Sequence, residues 1–263
     1  MDLGLRGKRA LVTGASKGIG LGIAEALATE GVDLVLAARS GPTLDAIAAD
    51  LAGRHGVDVE VVAADLSLTS EQERLADRVK LRPLDIVVNN AGAIPGGTIT
   101  DIDDERWRDA WDLKVFGYIN LMRLLIPHLE TSRADSGTAD AGVLLNVIGA
   151  AADRPNPGYI AGAGGNSALA AMSRAIGSRS MRTGVRVLAV NPGLIITDRM
   201  TDLLRQQANA KYGSDERWEE FIPADPVPGT VEQVADVVTF LVSPRASHVS
   251  GTTLTIDGGA SAR

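Results

Sequence analysis

The chain has 263 residues, of which 45% are hydrophobic, so it is long enough to bury the core of one α/β domain. Its net charge of −7, without a cluster of Lys and Arg, argues against a nucleic-acid or anionic-membrane partner, and the lack of cysteine excludes disulfides, thiol nucleophiles and thiolate metal ligands. No basic region followed by a long apolar run opens the chain, and no stretch approaches about 18 apolar residues, so we expect a cytoplasmic protein without a signal peptide or a membrane span.

Short apolar runs and longer stretches of helical period alternate along the chain. The apolar runs predict strands over 9–14, 33–38, 59–66, 84–92, 143–149, 185–193 and 253–259. The stretches between them predict helices near 18–30, 41–54, 69–79, 104–130, 159–183, 200–220 and 230–243. This alternation predicts a single-domain Rossmann fold over 1–263, an α/β fold with a seven-stranded parallel sheet and helices on both faces. The small, polar stretch Thr131 to Gly142 is interpreted as a mobile surface insertion.

The first predicted strand runs into the loop "VTGASKGIG", which opens the first predicted helix. Gly14, Gly18 and Gly20 allow a tight turn and a close approach of the backbone to a ligand. Free N–H groups at the start of such a helix bind the pyrophosphate of a dinucleotide. We therefore predict cofactor contacts from the whole loop, which also contains Ser16, Lys17 and Ile19.

From end to end, the chain resembles a short-chain dehydrogenase/reductase. The motifs that carry the resemblance are Thr13 to Gly20, Asp65–Leu66, Asn89 to Gly92, Pro192–Gly193 followed by Thr197, and Asp257 to Gly259. Beyond the glycine loop, the cofactor-binding residues that it implies are Asp65, Leu66, Asn90, Gly92, Pro192, Ile195 and Thr197. In that family the acidic position holds the adenine, and the last two positions bind the nicotinamide carboxamide.

The end of the second predicted strand bears on the choice between NAD and NADP. An acidic side chain there would bind the ribose hydroxyls of NAD and repel a 2′-phosphate. This strand instead ends with Ala38, followed by Arg39, and Lys17 stands in the glycine loop. Both cations resemble the basic pair of NADP-preferring family members, so we predict NADP as the cofactor. The alternative is that both are ordinary solvated charges.

The catalytic positions of the family normally hold Asn, Ser, Tyr and Lys, and none of these identities is present. In the family's register the four positions fall on Lys114, Gly149, Gly162 and Asn166. We expect the loss of side chains at 149 and 162 to leave empty volume beside C4 of the nicotinamide. Successive glycines at 162, 164 and 165 suggest close approach of a cofactor, a partner helix or a bulky ligand, unless the helix start is merely frayed.

Tyr159 lies one helical turn before position 162, so its phenol can share a face with that position. Divergent enoyl-acyl-carrier-protein reductases of the same superfamily have Tyr and Lys seven residues apart, a spacing met here by Tyr159 but not by Asn166. The lysine stem of Lys114 spans about 6 Å, enough to bring an ammonium toward position 166, where it would lower the pKa of Tyr159. Otherwise Lys114 is a solvated helix residue, or one paired with Asp112 or Asp109.

A stretch near the carboxyl terminus falls where family members carry a substrate lid, predicted here at 197–225. Its apolar residues either cover a substrate or pack on the body of the protein: Met200, Leu203, Leu204, Tyr212, Trp218 and Phe221. His55, His128 and His248 lie far apart, so we expect no metal site. Partly from the resemblance, we expect a homotetramer or homodimer, with helical apolar residues at its seam: Leu121, Leu124, Leu125, Ala170 and Met172.

These patterns favour an NADP(H)-dependent oxidoreductase acting on a carbonyl/alcohol pair or an activated double bond of a small apolar substrate. In this interpretation Tyr159 is the acid, and Lys114 and Asn166 support it. One alternative is an enzyme that retains the cofactor for non-redox chemistry, such as elimination or epimerisation. Another is a non-catalytic NADP-binding sensor or subunit, because the cofactor motifs are intact while the usual catalytic residues are missing.

Overall fold

The computed structural model describes residues 1–136, 142–222 and 224–262, and these contain one sheet of seven strands. The strands are β1 (Arg9–Thr13), β2 (Asp33–Ala38), β3 (Val59–Ala63), β4 (Ile86–Asn89), β5 (Gly142–Val147), β6 (Val185–Pro192) and β7 (Thr253–Ile256). They lie in the order β3-β2-β1-β4-β5-β6-β7, and every neighbouring pair is parallel. The predicted fold class is confirmed.

Helices connect the strands and cover both faces of the sheet. They are α1 (Gly18–Thr29), α2 (Gly41–His55), α3 (Thr69–Val79), α4 (Asp104–Trp111), α5 (Gly117–Ser136), α6 (Ile160–Ser180), α7 (Asp198–Tyr212) and α8 (Val231–Val242). Adjacent strand residues point to opposite faces, so Leu11 and Val12 lie in two different apolar clusters. Helices α1, α2 and α8 pack on the face of Val12, and α3, α5 and α6 pack on the face of Leu11. Because both faces are buried, the strands are continuous apolar runs.

The predicted helix over 104–130 is wrong in two respects. A π-helical turn, Asp112–Phe116, separates α4 from α5. Helix α5 then continues to Ser136, so residues 131–136, the first of the predicted surface insertion, are helical instead. The helix continues because Leu129 and Ser132 are still buried, and the Ser132 hydroxyl accepts a hydrogen bond from the Leu84 N–H at 3.2 Å. Residues 137–141 of the predicted insertion lie outside the described residues.

The predicted helix over 200–220 is shorter than expected. Helix α7 ends at Tyr212, because Gly213 takes a left-handed conformation with φ 73° and bonds back to the Asn209 carbonyl. A separate 3₁₀ turn follows at Trp218–Phe221. Two hydrogen bonds join the chain before α7 to the chain after this 3₁₀ turn. The N–H of Ile196 donates to Gly229 O and the N–H of Gly229 donates to Leu194 O, each at 2.9 Å.

The strand order reverses between β1 and β4, which opens a crevice at the carboxyl edge of the sheet. Ligands of open α/β sheets bind in such a crevice. The segments that leave this edge begin at Gly14, Asn90, Ile148 and Gly193, so the topology brings the predicted cofactor and catalytic stretches together. Within the described ranges, no helix is long and apolar enough to cross a membrane.

Candidate active site

The glycine loop is fixed by the strand beside it. The hydroxyl of Thr13 accepts hydrogen bonds from the N–H groups of Asn90 at 2.9 Å and Ala91 at 3.1 Å, and the Asn90 side chain donates to the Thr13 carbonyl at 3.0 Å. Gly14 has φ 67°, and a β-carbon on Gly20 would overlap the Gly14 carbonyl oxygen. Glycine is therefore required at both places for packing alone.

The start of α1 is open to an anion. Its first turn contains no acidic residue, and no side chain in the described part of the chain caps it. Uncapped N–H groups and the positive end of the helix dipole both favour a phosphate group there. The residues present therefore fit the pyrophosphate of a dinucleotide.

Arg39 and Asp65 lie close together at the end of the site predicted to hold the adenosine. The hydroxyl and the backbone N–H of Ser67 donate to Asp65 Oδ1 at 2.8 and 3.1 Å, and with the nearby charge of Arg39 they lower the pKa of that carboxyl. Arg39 and Lys17 are both exposed, and Leu66 is buried. A 2′-phosphate at this end would therefore meet accessible positive charge.

The opposite end of the predicted cofactor site is formed by the chain after β6. The N–H of Gly193 donates to Ile256 O at 2.9 Å, which fixes the turn after Pro192. Ile195 is buried, and the Thr197 hydroxyl caps α7 by accepting from the Met200 N–H at 3.3 Å. A methyl carbon of Thr197 lies 3.6 Å from where a β-carbon of Gly18 would be, so this segment borders the glycine loop.

Lys114 reaches inward from the π-helical turn. Its stem passes over Gly92, where an added β-carbon would lie 2.9 Å from Lys114 Cδ. Its Nζ donates to the Ile148 carbonyl at 2.6 Å. The side chain is partly buried, which excludes the interpretation of a freely solvated helix residue. The ammonium group is thus hydrogen-bonded to Ile148, the residue just before Gly149.

The expected empty volume at positions 149 and 162 is wrong, because other side chains occupy it. A β-carbon on Gly162 would overlap the ring of Tyr159. A β-carbon on Gly149 would lie 2.9 Å from Nδ2 of Asn166. The place at 149 is thus filled by Asn166, from the family's usual lysine position, and the place at 162 by Tyr159, from one helical turn earlier.

Tyr159 is the N-cap of α6 rather than a residue inside that helix. Its backbone φ is −139°, and its carbonyl accepts the N–H of Ala163 at 2.9 Å. Its ring packs beside an apolar cluster formed by Ile94, Ile102, Ala110 and Ala161. The ring folds back over the first turn of α6, which is possible only because residue 162 has no side chain.

Side chains of the preceding helical segment pack against the glycines of α6. A β-carbon on Gly165 would lie 2.8 Å from Val115 Cγ2 and 3.4 Å from the indole nitrogen of Trp111. That nitrogen donates to Ala161 O at 3.0 Å. Of the three expected causes of close approach, a cofactor, a partner helix or a bulky ligand, the structure shows a helix at Gly165, and it is the chain's own α4 with its π-helical turn. The alternative of a frayed start of this helix is wrong, since α6 runs without a break from Ile160.

Asn166 is 1% exposed and lies behind Gly149. Its Oδ1 has no hydrogen-bond partner among the described residues. A buried amide oxygen without a donor is unfavourable, so this atom is suited to accept a hydrogen bond when the site is filled.

The sequence patterns missed Tyr118, a fully buried phenol whose hydroxyl donates to Val147 O at 2.9 Å. Burial raises the pKa of Tyr118 above its ordinary value, and the neighbouring phenol of Tyr159 raises it further. They also missed Asn191, whose Nδ2 donates to Asp153 at 2.7 Å and whose Oδ1 accepts the Gly149 N–H at 3.4 Å. The only available signals were the four-residue spacing of Tyr118 from Lys114 and the position of Asn191 before Pro192.

The aromatic residues of the predicted lid pack within their own segment. The rings of Tyr212 and Phe221 are 5.9 Å apart, and the guanidinium of Arg217 lies 4.1 Å from the Tyr212 ring centre. Arg205 lies 5.9 Å from the ring of Trp218. Leu204 is buried, whereas the side chain of Leu203 lies outside the described residues.

A cavity of about 670 Å³ lies between α1, α2 and the first residues of α7 and α8. It borders Gly18 and Thr197, but Lys114, Tyr159 and Asn166 do not line it. It therefore adjoins the glycine loop without being the place where these three side chains meet. Within the described ranges, no three His, Asp or Glu side chains are grouped as metal ligands.

Comparison with known proteins shows similarity over the whole chain. Residues 14–261 match the family model described as enoyl-(acyl carrier protein) reductase. The 3-oxoacyl-(acyl-carrier-protein) reductase FabG of Haemophilus influenzae is 29% identical over 259 residues, covering 97% of this chain and 98% of that protein. The 7alpha-hydroxysteroid dehydrogenase of Escherichia coli K12 is 31% identical over 264 residues, covering 98% of this chain and 96% of that protein.

A solved structure shares the complete fold. L-sorbose reductase from Gluconobacter frateurii, complexed with NADPH and L-sorbose, superimposes with a TM-score of 0.91 at 29% identity. The match covers 100% of both chains.

Substitution at Gly162 tests whether the ring of Tyr159 occupies the place of the absent side chain. Gly162→Ala is expected to lower the free energy of unfolding by about 1–3 kcal/mol, because its β-carbon overlaps the ring. In the Tyr159→Ala background the same change should raise stability by roughly 0.5–1 kcal/mol, the ordinary gain of Ala over Gly in a helix. Denaturant unfolding measures both, and Gly164→Ala, whose β-carbon would make an ordinary 3.5 Å contact with Trp111, is the control. An equal effect of Gly162→Ala in both backgrounds would refute this placement.

Proposed function

The chain belongs to the short-chain dehydrogenase/reductase family, and we propose that it is an NADP(H)-dependent oxidoreductase acting on a small-molecule substrate. The reaction is the interconversion of a carbonyl and an alcohol, or the reduction of an activated double bond. The observation that carries the proposal is the open start of α1 beside Gly14 and Gly20, with Arg39 next to Asp65 at the adenosine end. The similar proteins are two reductases and a dehydrogenase, which supports redox chemistry over elimination, epimerisation or a sensor role.

The cofactor supplies or accepts the hydride when it is bound. The N–H groups of Ser16, Gly18, Ile19 and Gly20 would hold its pyrophosphate. Gly14, whose own N–H donates to the Ala37 carbonyl at 2.7 Å, provides the turn that brings these groups to the cofactor. Arg39 and Lys17 hold the 2′-phosphate through charge-assisted hydrogen bonds. The remaining contacts fall to Asp65 and Leu66 at the adenine, to Ile195 and Thr197 at the carboxamide, and to Asn90, Gly92 and Pro192 along the cofactor.

We assign Tyr159 as the acid that exchanges a proton with the substrate oxygen. The phenol is partly exposed, lies against an apolar cluster and is near the buried Tyr118. Lys114 brings a positive charge to the end of β5, where it favours the phenolate over the phenol. Asn166 supports this arrangement, with its unpartnered Oδ1 ready to accept a hydrogen bond from a bound molecule.

The segment 197–225 is proposed as a lid over the substrate. Its aromatic and cationic side chains bind one another, and its two ends are joined at Ile195 and Gly229. It can therefore open and close as a unit while the nicotinamide contacts at its base stay in place. The acidic charge of the chain accords with a small-molecule substrate rather than a nucleic-acid or membrane partner. We propose the cytoplasm as the location of the protein.

NADPH is expected to bind more tightly than NADH, because Arg39 and Lys17 present charge where the 2′-phosphate would lie. Hydrogen bonds to charged groups contribute about 1.5–3 kcal/mol, so the affinities should differ by roughly tenfold or more. Fluorescence titration with both cofactors measures this difference. Arg39→Met should weaken NADPH binding and leave NADH binding unchanged, and equal affinities in the wild type would contradict NADP as the cofactor.

Tyr159→Phe is expected to lower turnover by roughly a hundredfold to ten-thousandfold, the contribution of a positioned general acid. NADPH affinity should stay nearly constant, because the hydroxyl acts only in the transition state. Steady-state kinetics over a panel of carbonyl and enoyl substrates, combined with cofactor titration, measures both. If turnover stays within about threefold of wild type on the best substrate, Tyr159 is not the acid.

We propose a homo-oligomer built on α5 and α6, and the structure corrects the residues expected at its seam. Leu121, Leu125 and Ala170 are buried inside the protomer. Leu124 and Met172 are only partly buried. Further exposed apolar residues are Phe116, which is 50% exposed at the end of the π-helical turn before α5, and Ala171 and Ala175 on α6.

Light scattering is expected to give a multiple of the 27.4 kDa chain mass, for a dimer or a tetramer. Phe116→Asp should reduce this mass, because a charge at the centre of an apolar contact has no partner. A wild-type mass near that of one chain at micromolar concentration would contradict the assembly.

A further inference from the structure

Two successive peptide groups at the end of β5 are held from both sides. In the first, the carbonyl of Val147 accepts the Tyr118 hydroxyl at 2.9 Å, and the N–H of Ile148 donates to Val190 O at 2.8 Å. In the second, the carbonyl of Ile148 accepts the ammonium of Lys114 at 2.6 Å, and the N–H of Gly149 donates to Asn191 Oδ1 at 3.4 Å. We call this arrangement the β5 clamp.

One side of the β5 clamp comes from a single helical segment. Lys114 lies in the π-helical turn, and Tyr118 follows four residues later in α5. Gly117 lets this segment lie close to the chain that follows β3, since an added β-carbon there would be 3.1 Å from the Leu66 carbonyl. The two side chains therefore reach consecutive carbonyls from the same helix face.

The backbone needs this support because it ends at a flexible residue. Gly149 has φ 145°, a conformation that residues with a side chain rarely adopt. It has no side chain of its own to anchor the chain, and the segment beyond it is a short 3₁₀ turn, Ala150–Ala152. The direction of the Ile148 carbonyl is therefore set by its neighbours, and that carbonyl holds the ammonium of Lys114.

We propose that Tyr118 is a positioning residue for the reaction, which acts through the Val147 and Ile148 peptides to keep the ammonium of Lys114 in place. This inference rests on the proposed function, in which that ammonium favours the phenolate of Tyr159. Loss of the Tyr118 hydroxyl leaves the buried Val147 carbonyl without its donor. The peptide then turns, the Ile148 carbonyl turns with it, and Lys114 loses its fixed place.

The surroundings of Tyr159 combine apolar side chains with titratable groups. The ring packs against the apolar residues Ile94, Ile102, Ala110 and Ala161, which contribute no charge. The titratable side chains that we assign to its surroundings are Tyr118, which burial keeps protonated, and Lys114. A change in the titration of Tyr159 therefore reports on these two side chains.

The test uses the three tyrosines of the chain, labelled with carbon-13 at the ring carbon that bears the hydroxyl. NMR titration of the whole protein follows Tyr159 without any substrate. Lys114→Met should raise the pH at which Tyr159 titrates, because removing a positive charge disfavours the phenolate. Tyr118→Phe keeps the ring and its packing, and should raise that pH by roughly half a unit to one unit, part of the effect of one nearby charge.

Two comparisons separate positioning from general loosening. In the Lys114→Met background, Tyr118→Phe should produce no further shift, because it acts only through the ammonium. Ser132→Ala is the matched control, since it also removes a buried α5 hydroxyl bonded to the backbone but lies away from the site. It should leave the titration of Tyr159 unchanged, while thermal melts show that all variants are folded.

The outcomes distinguish this inference from the proposed function. If Lys114→Met does not shift Tyr159, the role proposed for Lys114 fails, and the inference fails with it. If Lys114→Met shifts Tyr159 and Tyr118→Phe does not, only the inference is overturned. A shift by Tyr118→Phe of equal size with and without Lys114 also overturns it, because Tyr118 would then act directly.

Kinetics give a second readout once a substrate is known. Tyr118→Phe should lower kcat by roughly tenfold, a fraction of the effect of a positioned acid, with little change in KM. The same substitution should add nothing to the loss in Lys114→Met. Additive losses in kcat would contradict the positioning role.

Discussion

The missing β-carbon at Gly162 is the constraint on which the candidate site depends. Because that atom is absent, the ring of Tyr159 folds back over the first turn of α6. The neighbouring gap at Gly165 admits Trp111 and Val115, which brings the π-helical turn against the same helix. With the turn held there, Lys114 reaches the end of β5 and Tyr118 follows it. This close packing of helices thus underlies the contacts that Lys114 and Tyr118 make with the end of β5.

The charges are divided between the two ends of the crevice. The chain as a whole is acidic, yet Arg39 and Lys17, which we propose for the adenosine end, are exposed to solvent. The end proposed for catalysis contains a partly buried cation, Lys114, whose ammonium is bonded to a backbone carbonyl. A cation in such surroundings acts more strongly on a neighbouring phenol than an exposed one, because less water screens it. The same residue type therefore attracts a ligand at one end and is suited to tune an acid at the other.

What could be predicted from the sequence is what depends on local pattern. The apolar runs and glycine motifs predicted the seven strands that the structure describes and the glycine loop that opens α1, because these follow from neighbours in the chain. The filling of the gap at Gly149 by Asn166 could not be predicted, since it depends on contact between a strand end and a helix distant in sequence. The π-helical turn was missed because nothing in its composition differs from an α-helix, and the buried Tyr118 was missed because it resembled an ordinary apolar position. The end of α5 was misplaced because buried Leu129 and Ser132 outweigh the polar composition around them.

The filled gaps at Gly149 and Gly162 also limit how this protein can change over generations. A serine returned alone to position 149 meets Asn166, and a tyrosine returned alone to position 162 meets Tyr159. Each single reversal is therefore blocked by a side chain that is itself part of the present arrangement. A lineage with this site can regain the usual family residues only by passing through damaged intermediates or by changing two positions at once. The packing makes each single reversal unfavourable, which gives a physical reason for such a variant to persist once it has formed.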